Sequence, residues 1–220
     1  VPIIIGSAMF MQTLDATVIA NALPQMARAL HESPLRLNLA ISAYLLSTAV
    51  FLPISSWAAD RFGARTVFVT SIVLFALASL LCGISQSLPQ LVAARVLQGC
   101  AGAMMGPVGR LVLLKAVPKS QLIRAMAALA IPAMLGPVLG PILGGAIVTY
   151  SSWRWIFFIN LPVGLLGVIL VMRFVPNIRE ASAAPLDLRG FILTGIGLAC
   201  LVFALECVGR GELSVAWIAV

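Results

Sequence analysis

The chain has 220 residues, of which 61% are hydrophobic and only 10% charged, whereas a soluble globular domain carries roughly 25% charged residues. That balance excludes a water-soluble fold. The net charge of +7 does not indicate nucleic-acid binding, because the basic residues sit in short stretches between apolar runs, where they set membrane topology.

A membrane-spanning helix needs about 20 mostly apolar residues. Runs of that kind are predicted at about 1–23, 37–59, 66–86, 90–114, 125–149, 155–173 and 189–208, with the start of an eighth beyond. They do not alternate polar and apolar residues as barrel strands would, and hydrocarbon offers the backbone no water, so the spans are helical. The expected fold is an all-α polytopic membrane protein. It comprises a six-helix bundle over 1–173, a linker over 174–188 rich in Pro, Ala and Ser, and a seventh span with the start of an eighth over 189–220.

The first run is too long for a signal peptide, lacks a basic leading segment and carries Asp15 in its middle. Ala8, Gln12, Asp15, Ile19 and Ala22 share one helical face, the least lipid-like of that span, which should point into the bundle. Charge in hydrocarbon costs at least about 2.5–3.5 kcal/mol at mid-helix, so each instance suggests a function. The helix is expected to leave the membrane near Pro24, with a loop to Arg36 that leaves His31 solvated.

The turn Asp60-Arg61-Phe62-Gly63-Ala64-Arg65 joins spans two and three, pivoting on Gly63, and is either a basic anchor or a conformational latch. Span four carries Arg95, followed at helical spacing by Gly99, Gly102, Gly106 and Gly109, a smooth stripe that lets another backbone approach. Helix rise places Asp15 and Arg95 at similar depth, near enough for a direct or water-bridged pair, with Asn160 of span six within reach. A carboxyl balanced between loss of water, which favours its neutral form, and a neighbouring guanidinium, which favours its charged form, can exchange a proton as helices move. The alternative is a fixed ion pair that only braces helices.

Span five holds Pro132, Gly136, Pro137, Gly140, Pro141, Gly144 and Gly145. The glycines make a flat ridge and the prolines bend the helix, a combination suited to rocking. Trp153 and Trp155 read as interfacial anchors, Arg110 as a residue reaching back to the surface, and Glu206 as an interfacial side chain. The four cysteines (Cys82, Cys100, Cys200, Cys207) lie inside apolar runs without metal or CxxC spacing and are expected as buried thiols.

The even-numbered connections carry eight Lys and Arg residues against four in the odd-numbered ones, which predicts that they and the N-terminus face the cytoplasm. The absence of an initial Met and the stop at Val220 inside an apolar stretch suggest a piece of a longer chain. The break after six spans suits transporters built from paired three-helix repeats, although spans one to three and four to six share no evident sequence match.

Several segments together resemble the major facilitator superfamily, in its 14-span drug:proton antiporter branch. They are Leu14-Asp15-Ala16-Thr17 through Asn21-Ala22-Leu23-Pro24, the Asp60–Arg65 turn, Arg95-Val96-Leu97-Gln98-Gly99, the span-five Gly/Pro run, and Trp153-Arg154-Trp155 through Asn160-Leu161-Pro162-Val163-Gly164. The loop motif departs from the family at Ser56, Ala58 and Ala64.

The resemblance implies a multi-pass protein of the cytoplasmic (inner) membrane that exports small molecules in exchange for protons, by alternating access. Asp15 and Arg95 would couple the proton, Gln12, Gln98 and Asn160 would line the substrate path, the span-five helix would govern exchange, and Asp60, Arg61, Gly63 and Arg65 would form the cytoplasmic latch. It implies no cofactor beyond the proton itself. The partners would be the lipid bilayer, a small-molecule substrate and a second bundle of the same chain, with no nucleic acid. No nucleophile–base set supports an enzyme. A metabolite or sugar symporter of the same superfamily and a non-transporting scaffold or sensor remain as alternatives.

Overall fold

The computed structural model describes residues 2–177 and 185–209, with the side chains at 205, 206, 208 and 209 excepted. The expectations for Arg179, Arg210, the Glu206 side chain and the eighth span lie outside the described residues. Nine α-helices, no strands and one short 3-10 turn make up what is described: α1 (Pro2–Leu30), α2 (Pro34–Phe51), α3 (Ile54–Phe62), α4 (Ala64–Ile84), α5 (Leu88–Ala116), α6 (Leu122–Tyr150), α7 (Trp155–Phe158), α8 (Asn160–Phe174) and α9 (Leu188–Gly209). Among the described residues, six helical stretches, α7 and α8 counted together, are long and apolar enough to cross a membrane. Their outward faces carry Leu74, Leu77, Val138, Ile142, Leu165 and Ile169, all largely exposed, an apolar surface suited to lipid or to further helices.

Three of the expected boundaries are corrected. Helix α1 does not end at Pro24 but continues for more than a turn to Leu30. Pro24 removes one backbone donor, yet Met26, Ala27 and Leu30 keep a buried face on the extension, and that packing carries the helix through. The stop is a Schellman turn: His31 takes φ 54°, exposed as expected, and Glu32 N donates to Ala27 O at 3.0 Å. Ser33 then caps α2, with Pro34 at its first position.

The second span is two helices, broken at Leu52 and Pro53, because Pro53 offers no N–H and its ring crowds the turn before it. The sixth is likewise divided at Ile159, where Pro162 deprives Phe158 O of its helical donor.

Helix α1 packs along α6, and α5 lies between α2 and α4, while α8 closes the bundle against α4 and α1. Gly136, Gly140 and Gly144 form the seam: a Cβ on Gly136 would meet Thr13 and the Leu14 nitrogen, one on Gly140 would meet Thr17, and one on Gly144 would meet Val18 O at 3.0 Å. Gly145 faces open space. From α1, Thr13, Thr17, Asn21 and Gln25, spaced four apart, send donors to carbonyls of α6 and its C-terminal turn, including Asn21 Nδ2 to Pro141 O at 2.8 Å. Helix α9 rests on α2, with Phe51 and Phe191 edge to face at 6.0 Å.

Trp153 corrects a further expectation. It is buried in the core beside Phe157 rather than anchored at an interface, because its N–H backbone group is held by Gln25 Oε1 at 2.7 Å and Arg154 stacks over its ring. Trp155 is exposed. Cys82 and Cys207 are buried, Cys100 is partly so, and Cys200 corrects its expectation by being exposed, since among the described residues α9 packs on α2 by another face.

Candidate functional site

The interior of a helical bundle that meets lipid on its outside is where a charged side chain can survive. Asp15 on α1 and Arg95 on α5 meet there at 2.5 Å, Arg95 Nη1 donating to Asp15 Oδ2, with both side chains fully buried. Each element delivers its residue for a local reason. The small and polar face of α1 turns inward. On α5, Gly99 lets the α2 backbone come close, since a Cβ there would strike Ser47 and Tyr44 O.

The shell around the carboxylate consists of donors. Gln98 Nε2 donates to Asp15 Oδ1 at 2.9 Å, and Asn160 Nδ2 donates to the same oxygen at 2.8 Å. Gln98 also accepts from Arg95 Nη1 through its Oε1 at 2.7 Å, one turn of α5 away. Asn160 spends its second amide hydrogen on Ser79 Oγ at 2.9 Å, and Ser79 in turn donates to Phe157 O at 2.9 Å. Three donors on two carboxylate oxygens match a charged group, since charge-assisted hydrogen bonds are about twice as strong as neutral ones.

Arg95 is held less completely. Among the described residues its Nε and Nη2 have no hydrogen-bond partner, and the guanidinium lies over the Tyr44 ring, 4.2 Å from its centroid, a favourable cation–π placement. Tyr44 and Ser79 are the participants that sequence reasoning missed. A tyrosine in mid-span was the available signal for one; a serine in an apolar helix carries almost none.

Of the three residues expected along a substrate path, only Gln12 borders open space. It donates to Gly102 O at 3.1 Å and lines a cavity of about 400 Å³ with Met9, Tyr44, Thr48, Gly106 and Arg110. Gln98 and Asn160 are buried and turned onto the ion pair. The glycine stripe of α5 is divided in use: Gly102 lies beside Gln12 and Tyr44, Gly109 receives Ile5 and Phe68, and Gly106 has nothing within 4 Å.

The turn between α3 and α4 stands at the far end of the bundle. Gly63 takes φ 91°, Asp60 pairs with Lys115 of α5 at 3.8 Å, Arg65 donates to Val175 O at 3.3 Å, and Arg61 is exposed. On α6, Pro132 packs against Gly6, whereas Pro137 and Pro141, each next to a seam glycine, turn their rings to the exposed side of the helix.

Comparison with known proteins agrees with this architecture. Residues 5–218 match the family model described as Major Facilitator Superfamily. A Salmonella typhi protein named "Putative multidrug resistance protein MdtD" is 49% identical over 203 residues, covering 92% of this chain and 43% of its own length. The protein of the same name from Klebsiella pneumoniae is 48% identical over 216 residues, covering 98% of this chain and 46% of its own. This chain therefore spans less than half the length of those relatives. Among solved structures, a peptide transporter POT crystallised with sulfate superposes with a TM-score of 0.70 at 14% identity, over 97% of this chain and 47% of that one, a likeness of fold.

Proposed function

The chain belongs to the major facilitator superfamily, and from that premise we propose that it is one half of a proton-coupled exporter of small molecules in which Asp15 carries the proton. The observation that carries this reading is the position of Asp15: a carboxylate enclosed in the bundle, paired with Arg95 and bonded to two amides. Burying an ion pair costs several kcal/mol per ion in desolvation, and intramembrane ionisable groups mark ion pathways by default.

In the mechanism we infer, the N-terminus and the α3–α4 turn face the cytoplasm. Both oxygens of Asp15 are occupied by donors, an arrangement that suits a carboxylate. Exchange of a proton requires Arg95 or an amide to withdraw, which ties the event to helix movement. Asp15 takes a proton from the outside and releases it to the cytoplasm, while substrate travels the other way from the cavity beside Gln12. The substrates are drugs or other toxic compounds, as the names of the relatives suggest. Asp60, Gly63 and Arg65 hold the cytoplasmic end closed until the second bundle rocks over it.

The full occupancy of Asp15 also suits a static brace. Efflux from energised membrane vesicles by the full-length protein separates the two. Asp15→Asn is expected to abolish proton-driven efflux, and unimpaired efflux from it overturns the proposal. A brace predicts instead that Asp15 and Arg95 can be replaced together by apolar residues without loss of transport.

A further inference from the structure

We propose that Asn160 is a positioning residue that couples the proton on Asp15 to the break between α7 and α8. The inference rests on the proton-carrier reading above and adds to it a second, distant consequence of the same proton.

The geometry is a chain of three bonds across that break. Asn160, the first residue of α8, gives one amide hydrogen to Asp15 Oδ1 and the other to Ser79 Oγ. The Ser79 hydroxyl hydrogen goes to Phe157 O, on α7. Asn160 and Ser79 have almost no exposed surface, so no water competes for these groups. The helix is already interrupted at Ile159, where Pro162 leaves it a donor short.

Arg95 meets Asp15 through Nη1, and among the described residues its Nε and Nη2 find no partner. Asp15 Oδ1 is held by the Gln98 and Asn160 amides rather than by the guanidinium. The other titratable groups packed around the pair are Tyr44 on α2, whose ring lies under Arg95, and Cys82 on α4, beside Gln98.

A proton arriving on Asp15 Oδ1 from bulk water converts an acceptor into a donor. It then faces Asn160 Nδ2, also a donor. The conflict is relieved when the Asn160 amide turns over and presents its oxygen, which accepts the new O–H. Ser79 Oγ then loses the amide hydrogen it had accepted and rotates its own hydrogen to the asparagine oxygen. Phe157 O is released, and the α7–α8 break loses its tie to α4. The O–H of Asp15 is the one covalent bond made; every other change is an exchange of hydrogen bonds.

The test uses full-length protein in lipid nanodiscs. The carboxyl infrared band that is absent from Asp15→Asn is titrated, and backbone hydrogen exchange is followed across 157–161. Asn160→Leu is expected to move the midpoint of that band to higher pH by about one unit, about tenfold in proton affinity, because the charged form has lost a donor. Ser79→Ala leaves the ligands of Asp15 in place. It is expected to keep the wild-type midpoint while abolishing the rise in exchange at 157–161 that accompanies protonation of the wild type.

An unmoved midpoint in Asn160→Leu overturns the proposal. If that variant does not fold, pH-dependent exchange that persists in Ser79→Ala overturns it equally. Neither readout requires transport. Shifts found as described in a protein without proton-driven efflux would defeat the exporter reading and leave this one standing.

Discussion

The hydroxyl of Thr13 on α1 lies 3.1 Å from the carbonyl of Ala133 on α6, a carbonyl whose helical donor is missing because Pro137 stands four residues on. Met9 O and Phe10 O are also within reach of that hydroxyl, at 3.0 and 3.1 Å, but their own helix supplies donors to them. The unmet demand is at Ala133. Thr13→Val is therefore expected to lower the stability of the bundle by about 1 kcal/mol. In a Pro137→Ala background, where the helix regains its N–H, the same change should cost little. Unfolding of all four members of this double-mutant cycle in detergent measures the coupling, and purely additive costs would remove the link between the two residues.

The glycine seam gives a positional prediction. Gly136→Ala places a methyl against Thr13 and the Leu14 backbone, an overpacking that costs roughly 1–3 kcal/mol and should lower the thermal midpoint by roughly 5 °C. Gly145→Ala, where nothing lies within 4 Å, should leave the midpoint unchanged or raise it slightly. Equal effects at both positions would show that helix propensity rather than interhelical contact governs the pair.

Gly63 joins α3 to α4 at φ 91°, with Asn177 packed where a side chain would go. Gly63→Ala is expected to cost about 1–3 kcal/mol from backbone strain. An added Asn177→Ala change clears the space but not the strain, so most of the loss should remain. Full recovery in the double variant, read by chemical unfolding, would place the cost in the contact instead.

Removal of Arg95 strands a buried carboxylate. Arg95→Met alone should destabilise the bundle by about 3–5 kcal/mol, enough to show as loss of monodisperse protein in fluorescence-detected size-exclusion chromatography. Adding Asp15→Asn removes the uncompensated charge and should restore much of that peak. No recovery would mean that Arg95 acts on the fold through Tyr44 and Gln98 rather than through Asp15.

Hydropathy and periodicity determined, without any coordinates, that this chain is a set of membrane helices, that Asp15 faces inward, and that Gly and Pro dominate α6. These properties are local: the length of an apolar run, or the side of one helix on which a residue falls. Tertiary structure alone decided where helices break and what each polar group touches. Pro24 does not end α1 because Met26, Ala27 and Leu30 still find a core, whereas Pro53, in the middle of its apolar run, does interrupt its span. Trp153 is drawn inside by Gln25, 128 positions away. Tyr44 lies under Arg95 and Ser79 accepts from Asn160, and the serine does not stand out from its own helix. A buried donor or acceptor must be satisfied by whatever lies across the interface, and that partner is set by the packing of several helices at once, which no single stretch of sequence encodes.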